Sequence, residues 1–388
     1  MASEAYWKEV LLKEVKSLQA APSWLELEEL SWDITLNNQG KSPFLAPSLG
    51  QPGWDFLSYF YIQNVARSND EIIADLNQGS PGLLIAWDQI PDLSKVLKGV
   101  AFKYIHTHIK ISSESDLMYL ESWMNLENAP FIFLESSNFS LRSEKLAVIP
   151  LISGYSTYAI GANAWQEVAF VVAELNRLLK LEKTPEKLII ELGVGENFLV
   201  ESAKFTSVQW LSEAIKNKYK CQNLKIELRA RLGYRNKSGQ EPITNQIRQT
   251  AEALCAVSAG IHQLCIPPYE GNEANAHVRR MAINIGHILR EEAHLNWYQS
   301  LTYGGYAVNA LSMQICDKAW DFMNNHYFAT DALKDHILKT RAIRIKRFNE
   351  KEDKFIGMNH LAQAGDHKYK FNTEIGAFGL PSFYYESL

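Results

Sequence analysis

Two almost continuous apolar runs, GLLIAW at residues 82–87 and KLAVIPLIS at residues 145–153, indicate which kind of sheet this chain forms. A strand with one face in water alternates apolar and polar side chains, and neither run does so. Runs of this kind are typical of strands whose two faces are both buried, as the strands of a parallel sheet are. They therefore predict a parallel sheet.

Eight short β-branched or aromatic runs, including these two, occur along the chain, and most of the gaps between them show helical periodicity. The runs are Trp54 to Ile62, Leu83 to Trp87, Phe102 to Ile109, Phe131 to Leu134, Leu146 to Ile152, Leu188 to Leu192, Leu224 to Arg229, and Ile261 to Ile266. In the gap after the fifth run, Val168 to Leu179 places its apolar residues on one helix face. The gap before the eighth run is rich in alanine and ends at Gly260, a usual helix stop. Eight alternations allow a closed (β/α)8 TIM barrel or a long doubly wound sheet, and the number eight favours the barrel.

The segments outside this core read as helical. We expect residues 1–40 to form an N-terminal helical arm and residues 41–388 to form the barrel with C-terminal helices, three of them between residues 274 and 348. The arm carries Trp7, Trp24 and Trp32, which suit burial against something large. Packing of the arm on its own barrel and clamping of a partner are both open at this point.

Composition excludes several classes of protein. The chain has 388 residues, 46% of them hydrophobic, and a net charge of -5, which gives no electrostatic reason to expect nucleic-acid binding. The basic stretch Lys339 to Arg347 is interpreted as a solvated helix face. No apolar run approaches the ~18 residues of a membrane helix. The four cysteines show no C-x-x-C spacing and no signal peptide precedes them, so we expect free thiols and a cytoplasmic location.

In a TIM barrel, catalytic and ligand-binding residues lie at the carboxyl ends of the strands and in the loops that follow them. The candidates at those positions are Asp88, His108, Ser153 to Tyr155, Glu191, Arg229, Arg231 and Cys265. His106 and His108 share a side of one strand, as half of a metal site would, but no third ligand stands at a fixed spacing, so no metal is predicted. Arg229 and Arg231 also share a face, which suits a carboxylate, a phosphate or salt bridges to neighbouring acids. No nucleotide-binding or hydrolase motif occurs. The residues alone predict a barrel of unknown ligand.

A resemblance to a known family adds to this. Residues 193–204, GVGENFLVESAK, resemble a signature of the methylmalonyl-CoA mutase family. Further resemblances follow in the family's order: Ser153-Gly-Tyr155, residues 161–167 (GANAWQE), Gln240 with Asn245 and Arg248, Glu291-Glu-Ala-His294, Gly304-Gly-Tyr306 and residues 355–359 (FIGMN). They cover about residues 150 to 360. The resemblance implies a (β/α)8 barrel that threads the pantetheine arm of an acyl-CoA along its axis, followed by a flavodoxin-like cobalamin domain.

Compared with catalytic members of that family, this chain departs at several positions. Ser156 stands where they have a histidine that hydrogen-bonds the substrate thioester, and Gln209 stands where they have an arginine for CoA. Lys187 and Ile189 replace an arginine and a serine. We therefore expect no catalytic residue here. The matches that the resemblance implies to be substrate-binding are Tyr155, Lys204, Gln240 and Asn245.

The resemblance also suggests a biological role. Residues 161–179, GANAWQEVAFVVAELNRLL, resemble the small subunit of heterodimeric mutases. The expected function is a small, non-catalytic subunit of a cobalamin-dependent methylmalonyl-CoA mutase. Its partner would be the catalytic subunit, which would hold adenosylcobalamin, and this chain would bind no cofactor and at most an acyl-CoA.

Two observations on motifs and length support that expectation. The D-x-H-x-x-G motif of the cobalt-ligating histidine is absent, since Asp335-His336 and Asp366-His367 both lack the spacing. Only about 30 residues follow the last barrel motif, fewer than the ~100 of a further domain. Two alternatives stay open: a split mutase whose cobalamin domain is a separate chain, and an acyl-CoA-binding or chaperone-like protein without enzymatic activity.

Overall fold

Eight parallel strands close into one barrel in chain order, which confirms the (β/α)8 prediction. The structure is a computed structural model that describes residues 23–31, 52–126, 132–181, 184–239, 241–271, 274–362 and 376–385, with four isolated positions before residue 14. The strands are β1 Asp55–Tyr61, β2 Gly82–Ala86, β3 His106–Lys110, β4 Ile132–Ser136, β5 Val148–Ser153, β6 Lys187–Val194, β7 Lys225–Leu232 and β8 Gln263–Cys265.

Helices follow the strands and continue beyond the barrel. Those of the described chain are α1 Ser23–Leu27, α2 Val65–Asn77, α3 Leu93–Val96, α4 Glu114–Leu126, α5 Tyr155–Ala159, α6 Ala164–Leu179, α7 Phe198–Tyr219, α8 Pro242–Ser258, α9 Ala276–His287, α10 Tyr306–Asn325 and α11 Asp331–Asn349. The last three are the helices that the sequence predicts between residues 274 and 348. Apart from α1, the predicted arm lies almost wholly outside the described residues. Leu25 of α1 is completely buried in the main core, so this part of the arm packs on its own chain.

Helix α6 is the most enclosed helix around the barrel. Its predicted apolar face from Val168 to Leu179 is buried, and α7, α10 and α11 also pack against it. Asn163 caps its first turn by accepting from the backbone N–H of Gln166, whose side chain in turn accepts from the N–H of Asn163. The C-terminal helices therefore form a second layer over one side of the barrel.

Two details differ from the sequence-based expectations. Strand β3 begins at His106 rather than Phe102, because β2 begins at Gly82 opposite His106 and leaves nothing upstream to pair with.

The basic stretch of α11 is not simply a solvated face. Arg344 is 1% exposed and lies 3.1 Å from Glu28, and Arg347 binds Asp353 at 2.9 Å. Arg344 Nε also donates to the carbonyl of Gly161 at 3.2 Å, which ties α11 to the segment before α6.

No helix in the described part of the chain is long and apolar enough to cross a membrane. All four cysteines are buried free thiols.

Candidate functional site

The barrel interior is filled by side chains. On one side, Ile149, Leu151 and Ile189 form an apolar cluster. On the other side, Leu57, Leu84 and Cys265 are completely buried in a second one. Alternate residues of each strand point inward, and layers of such residues ordinarily pack the centre of a TIM barrel.

Five ionisable residues lie between these apolar clusters: His108, Lys110, Glu135, Glu191 and Arg229, here called the axial cluster. Arg229 Nη1 lies 2.7 Å from Glu135 Oε2, and Arg229 Nη2 donates to the other oxygen of that carboxylate. Lys110 Nζ donates to both oxygens of Glu191 at 2.7 and 2.9 Å, and His108 Nδ1 contacts Glu135. Arg229, Glu135 and Glu191 are 0% exposed. The cluster therefore ties β3, β4, β6 and β7 together across the axis.

The charges of the axial cluster depend on one another. Burial would raise the pKa of Glu191, but Lys110, Arg231 and Arg229 lower it to about 2. Burial likewise opposes ionisation of Glu135, and Arg229 and His108 hold its pKa well below the usual range. Burial lowers the pKa of His108 against the attraction of Glu135. At neutral pH the two carboxylates are ionised, as buried charges must be when they are paired.

Cavities lie at the two ends of the barrel and share no lining residue. The cavity at the carboxyl ends of the strands, called the C-terminal cavity, has about 190 Å³ and is lined by Lys110, Ser137, Leu151, Ser153, Tyr155, Ser156, Ala159, Arg231 and Gly376. The cavity at the amino ends has about 390 Å³ and is lined by residues 52–55, Glu227, His262, Arg290 and Asn296. The axial cluster lies between them, and its buried side chains Glu135, Glu191 and Arg229 fill the axis at this level.

Tyr155 and Ser156 lie together at the C-terminal cavity, as their adjacency in sequence requires. The guanidinium of Arg231 packs on two aromatic rings, with its Cζ 4.1 Å from the ring centre of Tyr155 and 4.2 Å from that of Tyr59. Ser156 Oγ donates to the carbonyl of Ser153 at 2.5 Å, within the turn between β5 and α5. The hydroxyl of Ser156 is thus engaged locally.

Lys204 lies elsewhere, on α7. It does not line the C-terminal cavity, and its ammonium lies 2.7 Å from Glu167, 2.5 Å from Glu201 and 3.0 Å from the carbonyl of Gly193. The backbone N–H of Gly193 donates to Glu167. Gly193, Glu167, Glu201 and Lys204 therefore form one buried network. A side chain at Gly193 would come within 2.2 Å of the Tyr158 ring, so only glycine fits there.

Asn245 holds a loop, and Gln240 lies outside the described residues. Asn245 Oδ1 accepts from the backbone N–H of Ser238 at 2.7 Å, and its Nδ2 donates to the carbonyl of Ser238 at 2.6 Å. The structure therefore brings Tyr155 and Ser156 to one cavity and places Lys204 and Asn245 in separate buried networks. The substrate-binding role expected for Tyr155, Lys204, Gln240 and Asn245 stays a prediction.

The remaining sequence candidates are also placed. Asp88 is exposed after β2, and Cys265 is fully buried, with its pKa raised to about 12 by burial. His106 and His108 do share a side of β3, since both rings pack on Phe133. Within the described ranges, no group of three or more His, Cys, Asp or Glu side chains could hold a metal. His108 instead contacts Glu135.

Sequence reasoning missed Lys110 and Glu135. Both stand two residues beyond an inward-facing neighbour, Lys110 after His108 and Glu135 after Phe133, and the register pairs them directly. The period of two along each strand could have placed them inside the barrel. A lone charged residue at the end of a strand is more often solvated, which hides the signal.

Comparison with known proteins gives the family. The sequence model described as methylmalonyl-CoA mutase matches residues 139–375, more than half of the chain. The chain belongs to the methylmalonyl-CoA mutase family. The methylmalonyl-CoA mutase small subunit of Porphyromonas gingivalis is 26% identical over 174 residues, which are 41% of this chain and 28% of that protein. The methylmalonyl-CoA mutase of Cereibacter sphaeroides is 25% identical over 229 residues, 54% of this chain and 32% of that protein.

The similarity to these mutases covers only part of each relative. The human mitochondrial methylmalonyl-CoA mutase is 27% identical over 187 residues, 45% of this chain and 25% of that protein. The matched segment thus spans about a quarter to a third of the length of these curated relatives. Among solved structures, a dihydropteroate synthase from Xanthomonas albilineans aligns with 66% of this chain and 99% of its own at 13% identity and a TM-score of 0.41, too low to carry an argument.

The family resemblance implies cobalamin, and the described residues do not fit it. Every strand in the described ranges belongs to the one barrel, so none of them builds the sheet of a second domain. His336, which follows Asp335, lies in α11 and packs edge-on against Phe322 with ring centres 4.8 Å apart. That position is a helix–helix contact, and the pair Asp366-His367 lies outside the described residues.

Proposed function

We propose that this chain is a non-catalytic barrel subunit of a methylmalonyl-CoA mutase, and that its partner is a larger subunit that carries adenosylcobalamin and the active site. The proposal follows the division of labour that the name of the Porphyromonas gingivalis relative implies. Cofactor and partner are both part of the proposal.

The observation that carries this proposal is the filled barrel axis. A mutase of this family needs an axial path for the pantetheine arm of its substrate, as the resemblance implies. Here Arg229, Glu135 and Glu191 occupy that path, each 0% exposed. Opening the path would separate buried ion pairs, which costs about 3 to 5 kcal/mol for each partner left alone. Substrate threading is therefore strongly opposed in this chain.

A second observation concerns the position of the missing histidine. Ser156 is short, and its hydroxyl already donates to the carbonyl of Ser153. A donor that polarises a developing oxyanion must be fixed and aimed at it, and its loss costs about 100- to 1000-fold in rate. Both observations point to a barrel retained for its shape and surface.

Reconstitution with a catalytic subunit of the family tests the proposal. The chain should form a stable complex with that subunit on size-exclusion chromatography, and isomerisation of methylmalonyl-CoA should depend on adenosylcobalamin bound to the larger chain. The chain alone should bind CoA more weakly than about 1 mM by calorimetry, equivalent to about -4 kcal/mol.

Matched variants sharpen the result. A Glu135→Leu/Arg229→Met variant replaces the buried ion pair with apolar side chains of similar size and should leave complex formation unchanged, because both residues are buried inside the barrel. Micromolar binding of CoA by the unmodified chain would contradict the filled axis. Turnover by the chain with only a separate cobalamin domain would make it a split mutase.

A further inference from the structure

Lys110 is the member of the axial cluster that reaches a cavity. It is the last residue of β3, its side chain is 19% exposed, and it lines the C-terminal cavity. Its partner Glu191 is 0% exposed and does not line this cavity. A small molecule in the cavity would therefore meet Nζ directly.

The surroundings of Lys110 favour the free amine more than a surface position would. Burial lowers its pKa, and Arg231 and Arg229 lower it further against the opposing attraction of Glu191. Lysines that are partly desolvated and crowded by other cations are the ones that proteins use as nucleophiles toward carbonyl compounds.

The shape of the cavity limits what can react there. Its volume is about 190 Å³, and a cavity of about 150 Å³ holds a molecule of the size of benzene. The walls offer apolar surface from Leu151 and Ala159 and polar groups from Ser137, Ser153 and Arg231. This combination suits a short carbon chain with one polar end and has no room for a CoA thioester.

We propose that Lys110 binds a short-chain aldehyde or ketone covalently as an imine. The nitrogen lone pair attacks the carbonyl carbon and forms a C–N bond, and the carbonyl oxygen leaves as water with the two hydrogens of the amine. No oxidant or reductant takes part. Glu191 lies 2.7 Å from Nζ, so its ionised carboxylate stays beside the nitrogen and pairs with the imine when the imine is protonated. This activity does not depend on the proposed subunit role.

Reductive trapping tests the proposal with the intact chain. The protein is treated with dilute propionaldehyde and cyanoborohydride at pH 7, and the propylated lysines are quantified by peptide mapping. Lys110 should be modified severalfold more than the median lysine, because its lowered pKa leaves more of its amine unprotonated at pH 7. Raising the pH should reduce this preference as the other lysines lose their protons.

Two variants and a larger aldehyde serve as controls. Lys110→Arg keeps the charge beside Glu191 and should remove the preferred adduct. Lys187→Arg should retain it, because Lys187 is also paired with a glutamate, Glu227 at 2.8 Å, but at the opposite end of the barrel. Pyrene-1-carboxaldehyde, too large for the cavity, should label other lysines and spare Lys110. Equal labelling of all lysines, or an unmodified Lys110 in the folded chain, overturns the proposal.

Discussion

Arg229 on β7 and Glu135 on β4 face each other across the barrel axis and are joined by two parallel hydrogen bonds, although 94 residues separate them in sequence. The charges and hydrogen bonds of such a buried pair are satisfied only when both side chains are present. The pair links two strands that are three positions apart around the barrel, and this gives it measurable consequences for stability.

Removing one charge of this pair should destabilise the fold strongly. Glu135→Gln removes the nearer counter-charge of the buried Arg229 guanidinium and leaves only Glu191, 3.4 Å away and shared with Lys110, so we expect a loss of about 3 kcal/mol in the free energy of unfolding. Urea denaturation followed by circular dichroism measures it. The control is Glu174→Gln, which breaks a pair with Arg177, 55% exposed, and should change stability by less than about 1 kcal/mol. Equal effects of the two substitutions would contradict the account.

Stability should also fall in acid because of Glu191. Its pKa is lowered to about 2 in the folded chain, below the value of an unfolded glutamate. Between about pH 4.5 and 2 the unfolded state binds a proton that the folded state does not, so lowering the pH favours unfolding. The contribution is on the order of 2 to 3 kcal/mol, present above that window and lost through it. Urea titrations from pH 7 to 3 should show this fall, and Glu191→Gln should flatten it.

Lys204 offers a direct comparison between a ligand-binding role and a structural one. Lys204→Met leaves Glu167 and Glu201 buried without their shared cation, so the midpoint of thermal unfolding should drop by several degrees. Lys204→Met with Glu201→Leu removes one carboxylate as well and should recover part of the loss. A residue that only contacts substrate would leave the unfolding temperature of the ligand-free chain unchanged.

Restoring the family histidine should not restore activity. In Ser156→His the axial cluster still fills the barrel axis, and Gln209 and Lys187 still differ from the arginines that the resemblance implies at these positions. We expect no succinyl-CoA above background when this variant is mixed with a separate cobalamin domain and adenosylcobalamin. Liquid chromatography with mass spectrometry detects the product. Turnover by this variant would show that the missing histidine alone explains the lack of activity, and would contradict the prediction.

The local patterns of the sequence predict the elements of the fold. Continuous apolar runs such as residues 82–87 predict strands buried on both faces, and the spacing from Val168 to Leu179 predicts the apolar face of α6. These patterns are readable because the period of a strand or helix lies within a few neighbouring residues. The glycine of the family signature, Gly193, has a tertiary cause instead, since a side chain there would collide with the ring of Tyr158 on another element.

The sequence by itself determined the eight strands, their order and the family, since each depends on residues close together in the chain or on motifs in a fixed order. Only the tertiary structure decided that Arg229, Glu135 and Glu191 fill the barrel axis, that Lys204 is saturated by carboxylates, and that Lys110 reaches a cavity. The physical reason is that barrel closure and register decide which inward-facing side chains meet across the axis. Those partners stand on strands far apart in sequence, and no local spacing encodes the distance between them.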